Sequence, residues 1–218
     1  LNLSDLNKNA EAINLIHENI EDNLTLLHTG ETRGIGYVRY FFDTTMIHQD
    51  QLPYLSLLIS LLGKVSTTHY SYSELSNEIL FHTGGIRFSM DTFQSVDSEE
   101  FHPKLTVYTK ALNPKINEAN RLISEIMSRT KFDERERIRE ILQELKSRME
   151  MAIMHSGNQV ASRRLISYLS SLGMYHEKIG GLEYYRFICQ LEKDFDHQFE
   201  RLKVTLKNIS VSIFNKRN

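Results

Sequence analysis

Nine histidines and 28 carboxylates are enough ligands for a metal site in a 218-residue chain, so their spacing decides. Zinc needs three or four convergent ligands. Neither helical zinc pattern, His-x-x-Glu-His or His-Glu-x-x-His, occurs anywhere in the sequence. His17-Glu18 falls in a strand pattern, where adjacent side chains point to opposite faces and cannot chelate together. His176-Glu177 lies at the break marked by Gly173 and Gly180 and has no second histidine nearby. Asp196, His197 and Glu200 share a helix face and form the best local cluster, but only one of them is a histidine. They read as a solvated face. His82 precedes a glycine corner and reads as a cap or packing residue.

Nucleophilic chemistry has less support. There is no Gly-x-Ser-x-Gly, and no base is paired with Cys189, which sits between Ile188 and Leu191 in a helical pattern and reads as a buried thiol. A lone cysteine forms no internal disulfide, which fits a reducing compartment such as the cytoplasm or an organelle matrix. Gly84-Gly85 precedes a strand, whereas phosphate loops open a helix. The mixed-sign ladder from Asp133 to Glu140 is expected to be a solvated helix face, and Arg163-Arg164 is too short a basic run to mark a nucleic-acid surface. With a formal net charge of −2, no global field favours nucleic acid or anionic lipid. No apolar run is long enough to span a membrane. The expected partners therefore include neither.

The elements that would position such residues are clear from periodicity. Residues 12–29 suggest a hairpin around Glu21-Asp22-Asn23, and 35–42 a third strand with one dry and one wetter face. A helix near 51–63 is apolar nearly all round (Leu52, Leu55, Leu57, Leu58, Ile59, Leu61, Leu62), with Pro53 tolerable only in its first turn. Ser71-Tyr72-Ser73-Glu74 is a capping box for the next helix, and Thr83-Gly84-Gly85 should end it with a left-handed glycine. Ile86, Phe88 and Met90 alternate with Arg87, Ser89 and Asp91, and Leu105, Val107 and Thr109 alternate with Thr106, Tyr108 and Lys110. A short connection makes these two strands an antiparallel hairpin.

From Pro114 onward the period becomes helical. Asp133 and Glu136 are expected to cap a long helix over 133–154. Val160, Leu165, Ile166 and Leu169 make a stripe after Gly157. One helix is expected from about 182 to 207. Strands first and helices last predict an α+β fold, one mainly antiparallel sheet with helices packed on one face.

Four stretches then gain meaning together: Gly34-Ile35-Gly36-Tyr37-Val38, Leu52-Pro53-Tyr54-Leu55, Tyr70-Ser71-Tyr72-Ser73-Glu74-Leu75 and His82-Thr83-Gly84-Gly85-Ile86. Their order resembles one repeat of the pitrilysin/insulinase-like (inverzincin) zinc metallopeptidases, in the presequence-protease and falcilysin branch. In the active repeat of that family the first helix carries His-x-x-Glu-His. Tyr54, Leu57 and Leu58 stand at the matching positions, as degenerate equivalents of the zinc motif.

The resemblance implies a mitochondrial-processing-peptidase-like domain, the non-catalytic third of four, forming part of a chamber wall in the C-terminal half. It implies no catalytic residue and no metal in this segment, with zinc supplied elsewhere in the parent enzyme. It also implies unfolded peptide as substrate and other domains of the same polypeptide as partners. Residues 1–11, including Leu3-Ser4-Asp5-Leu6, would be the lead-in from a hinge, 12–210 a single domain and 211–218 the start of a connection. Gly84, Gly85 and Ile86 open the strand equivalent to the one that pairs with substrate in the active domain, and are candidate peptide contacts. A stand-alone interaction or assembly module that kept the fold without the activity is the alternative.

Overall fold

The computed structural model describes residues 14–20, 23–98, 100–215 and 218. Packing divides the chain into two compact units, Leu1–Ile35 and Gly36–Asn218. In the first, strands β1 (Leu15–Ile20) and β2 (Asn23–His28) form an antiparallel ribbon with Leu15 opposite His28 and Ile20 opposite Asn23. Glu21 and Asp22 of the expected turn, and Leu3-Ser4-Asp5-Leu6, lie outside the described residues, while Asn23 already belongs to β2.

The second unit is α+β. Its sheet runs β3 (Ile35–Asp43), β5 (Phe101–Leu112), β4 (Ile86–Gln94) in spatial order. β4 and β5 are the expected antiparallel hairpin, with Ile86 opposite Thr109 and Gln94 opposite Phe101. β3 also runs against β5: the Thr44 amide donates to Pro103 at one end, and Gly36 faces Asn113 at the other. Because opposed residues share a face, Ile86, Phe88 and Met90 join Thr109, Val107 and Leu105 on the core side. On the wetter face the Arg39 guanidinium lies over Tyr108, and Phe41 meets Phe93 edge-on at 5.7 Å.

Helix α1 (Leu52–Leu61) is the centre of the core. Pro53 occupies its first turn, and it stops where Leu62 turns extended and Gly63 takes φ +77°, a left-handed angle that glycine adopts without strain. It packs chiefly against β4 and the helices α4 (Arg135–His155), α6 (Ser171–Gly180) and α8 (Phe195–Ile213). An all-round apolar sequence is what such a position requires. Helix α2 (Tyr72–His82) begins with the expected capping box, in which Ser71 and Glu74 satisfy each other's backbone N–H groups. Helix α3 (Ile116–Arg129) lies on β5 with Ala119, Leu122, Ile123 and Ile126 buried.

Four local expectations need correction. The α2 end is not a left-handed glycine cap: Thr83 is extended, its hydroxyl donates to the Ile79 carbonyl, and the positive φ falls later, at Gly85. Neither Asp133 nor Glu136 caps α4. Glu134 stands at its start but turns its carboxylate to the Ser66 amide 2.9 Å away, while Glu136 pairs with Arg139.

The expected 182–207 helix is two, α7 (Leu182–Lys193) and α8, broken at Asp194. The break lets Phe195 and Phe199 both bury, beneath the Arg139 and Arg135 guanidiniums at 4.9 and 5.5 Å. Finally, α5 (Gly157–Ile166) carries the stripe of Val160, Leu165 and Ile166, yet none of its residues is buried.

Candidate functional site

Where the resemblance expects the counterpart of a zinc motif, α1 offers packing. Leu57 and Leu58 are 0% exposed, and Tyr54 packs its ring against Phe187 at 4.8 Å. None of the three is a histidine or carboxylate, so zinc does not fit this helix in the manner of His-x-x-Glu-His. Among the described residues, no three His, Cys, Asp or Glu side chains come together in a group that could hold a metal ion. Asp196 is instead bound by Arg135 and Arg139, whose hydrogen bonds hold its carboxyl below the usual aspartate range, and Glu200 pairs with Lys203.

The glycine corner is built from backbone needs. Gly84 donates to the Lys110 carbonyl at 2.7 Å, and a Cβ there would lie 2.8 Å from the Lys110 side chain. Gly85, at φ +104°, donates to the Thr83 hydroxyl and accepts from Thr109 at 3.0 Å. Ile86 then points into the core opposite Thr109. Strand order leaves the outer edge of β4 without a strand partner among the described residues. Such an edge presents backbone donors and acceptors to an extended peptide. His82 sits between Glu78 at 3.5 Å and the Lys115 ammonium at 3.1 Å, with its ring against Phe81.

Periodicity misplaced two other groups. Cys189 is half-buried, because the buried face of α7 runs through Tyr184, Ile188 and Leu191 instead. His176 and Glu177 are not at a break but inside α6. Glu177 is fully buried: one carboxylate oxygen accepts from the Glu183 amide at 3.1 Å and from Arg164 at 3.2 Å, so it caps α7 from the preceding helix. Arg164 also reaches Glu183 at 2.8 Å. Gly181 is closely packed beside it: a Cβ would stand 2.0 Å from the Glu177 carboxylate and 2.8 Å from its Cα. The paired glycines at 180 and 181 were the available signal. The partners of Glu177 were not, being brought in by the fold.

His176 meets the Thr92 hydroxyl at 3.2 Å, and burial, with the nearby Arg163 charge, pushes its pKa down. It lines a cleft of about 320 Å³ with Asn158, Gln159, Ser162, Arg163, Ile166 and Gly173.

Together these features define an α+β domain whose central helix has the chemistry of a core. The family model for the region associated with peptidases of family M-16, subfamily C, matches residues 1–191, and the chain belongs to that peptidase-associated family. It is 40% identical over 219 residues to "Protein HypA" of Clostridium perfringens, covering all of this chain and 22% of that protein. It is 25% identical over 207 residues to the mitochondrial presequence protease of Drosophila melanogaster, covering 94% of this chain and 20% of that protein. With the chloroplastic/mitochondrial presequence protease 1 of Arabidopsis thaliana it shares 26% over 213 residues, 98% of this chain and 20% of that protein. The chain therefore spans about a fifth of the length of these relatives. The pitrilysin-like resemblance and its non-catalytic character stand on this match. No helix among the described residues is long and apolar enough to cross a membrane.

Proposed function

We propose that this chain is a non-catalytic wall domain of a zinc-dependent endopeptidase that degrades unfolded peptides inside a closed chamber. The observation that carries this reading is α1: in a member of a peptidase-associated family, the helix that the resemblance sets at the zinc position holds Tyr54, Leu57 and Leu58 against the core. Its role is then mechanical. It shapes the chamber while zinc and the attacking water are supplied by another domain of the polypeptide.

Residues 1–11 serve as the lead-in from a hinge, 12–210 as the domain and 211–218 as the connection onward. The free edge of β4, opening at Gly84, Gly85 and Ile86, is the candidate place for backbone pairing with substrate. A reducing compartment, cytoplasm or organelle matrix, fits the single cysteine and the organellar names of two relatives.

The decisive experiment compares the whole polypeptide encoded by the native gene with these 218 residues. The whole should carry a His-x-x-Glu-His elsewhere, bind zinc and cleave unstructured peptides until a chelator removes the metal. The 218 residues alone should bind no stoichiometric zinc and cleave nothing. One tightly held zinc per 218-residue chain, lost on changing Asp196, His197 or Glu200, would overturn the reading. A gene encoding only these residues would leave the alternative, a free-standing interaction module.

A further inference from the structure

Helix α5 carries Val160, Leu165 and Ile166 yet buries none of its residues. Leu165, Ile166 and Leu169, at its end and in the turn beyond, are 62%, 51% and 75% exposed, and Tyr168 beside them is 66% exposed. Met151 and Met154, in the last turns of α4 before the elbow at Ser156, are 55% and 84% exposed. Scattered surface apolar residues need no explanation, but six within nineteen consecutive positions, on either end of α5, are a local concentration of the kind found at interaction sites. A ten-residue helix is also marginal on propensity alone and is held by packing of its apolar face. Helix α6 covers one side of α5, and Leu165 and Ile166 are still left half or more exposed.

What covers it is indicated by length. The 40% identical relative aligns along this whole chain, yet the chain accounts for 22% of that protein, so roughly four-fifths of such a polypeptide lies elsewhere. Resting on the reading of this chain as one domain of a longer peptidase, we propose that the α4–α5 elbow from Met151 to Leu169 is the seat for another segment of the same polypeptide. The cleft beside it adds chemistry. Ile166 belongs to both cleft and ridge, and the lining is Asn158, Gln159, Ser162, Arg163, Gly173 and His176, with no carboxylate. Arg163 donates to the Gly180 carbonyl at 3.0 Å and has no carboxylate within ion-pair distance among the described residues. The docking segment therefore presents apolar side chains to the ridge and a carboxylate toward Arg163.

The test uses the full polypeptide from the native gene. Leu169→Cys and Met154→Cys are made singly in a Cys189→Ser background, and alkylation by a water-soluble maleimide is timed in the native state and in urea. Both positions should react more than about tenfold slower in the native state, at every protein concentration and without added peptide. Reaction at the unfolded rate would overturn the proposal, because the elbow would be open. So would protection that fades on dilution, which identifies a second copy, or protection that appears only with an unfolded peptide, which identifies substrate. Hydroxyl-radical footprinting of Met154 and Tyr168 in the unaltered polypeptide gives the same readout should a cysteine variant fail to fold. Zinc content and peptide cleavage are measured on the same sample. Protection without zinc or cleavage would remove the peptidase reading and leave the docking seat, whereas cleavage without protection would do the reverse.

Discussion

Helices α1 and α5 are the same length, ten residues each, and both carry apolar residues at helical spacing. One buries Leu52, Leu55, Leu57, Leu58 and Leu61, while the other buries nothing. Periodicity states that a face wants cover, not which part of a polypeptide supplies it. For α1 the cover is local, from β4, α4, α6 and α8. For α5 the local cover, from α6 and the end of α4, leaves Leu165 and Ile166 half or more exposed.

The harshest way to break this contrast is Leu58→Glu. An unpaired carboxylate at a fully enclosed site should destabilise by ~4 kcal/mol or more, a large part of what holds a domain folded, and leave insoluble or non-cooperatively melting protein. A soluble variant with a sharp thermal transition would show that α1 is not the core.

Gly181→Ala asks whether the α6–α7 corner behaves like α1 or like α5. Forcing the Glu177 carboxylate aside should destabilise by about 1–3 kcal/mol in urea melts, and an unchanged midpoint would show the corner to be slack. Ser71→Ala removes half of the α2 capping box and should lower stability by ~1 kcal/mol in the same measurement.

A pH titration gives a smaller effect. Burial alone would raise the Glu125 pKa, but hydrogen bonds from His69 and Thr67 outweigh it and hold it below the ordinary 4.5. Its stabilisation is therefore full above pH 4.5 and is lost as pH falls through the depressed value in the folded protein. Glu125→Gln should flatten that part of the acid limb, and an unaltered slope would remove Glu125 from the account.

The smallest effect sharpens the comparison most. Leu169→Ser in these 218 residues should move stability by no more than about 0.5 kcal/mol, because water already covers the site. A loss of several kcal/mol would mean that α5 has a partner within the chain after all.

Legibility followed the same division. The β4–β5 hairpin, the α2 capping box and the greasy α1 could be read because each is fixed by neighbours in sequence: alternation, a cap three residues from its partner, proline in a first turn. The break at Asp194 could not. No glycine or proline marks it, and Phe195 and Phe199 continue the helical period on both readings, so only the guanidiniums arriving from α4 reveal why the chain bends. The absent zinc motif was legible as residue types at Tyr54, Leu57 and Leu58, although only the family resemblance says that a motif belongs there. Composition and spacing alone stop at an α+β domain. Glu177 was invisible for a different reason. A carboxylate followed four residues later by glycine is common on helices, and its partners Arg164 and Glu183 come from the two flanking helices.

That buried carboxylate carries an evolutionary consequence. The space at 181 is closed by both the carboxylate and the Cα of Glu177, so glycine is held there from two directions. Shortening 177 would not by itself admit a side chain at 181, because a Cβ there also stands 2.8 Å from the Glu177 Cα, and it would leave α7 without its acceptor. Among homologues glycine should therefore persist at 181 whatever side chain stands at 177.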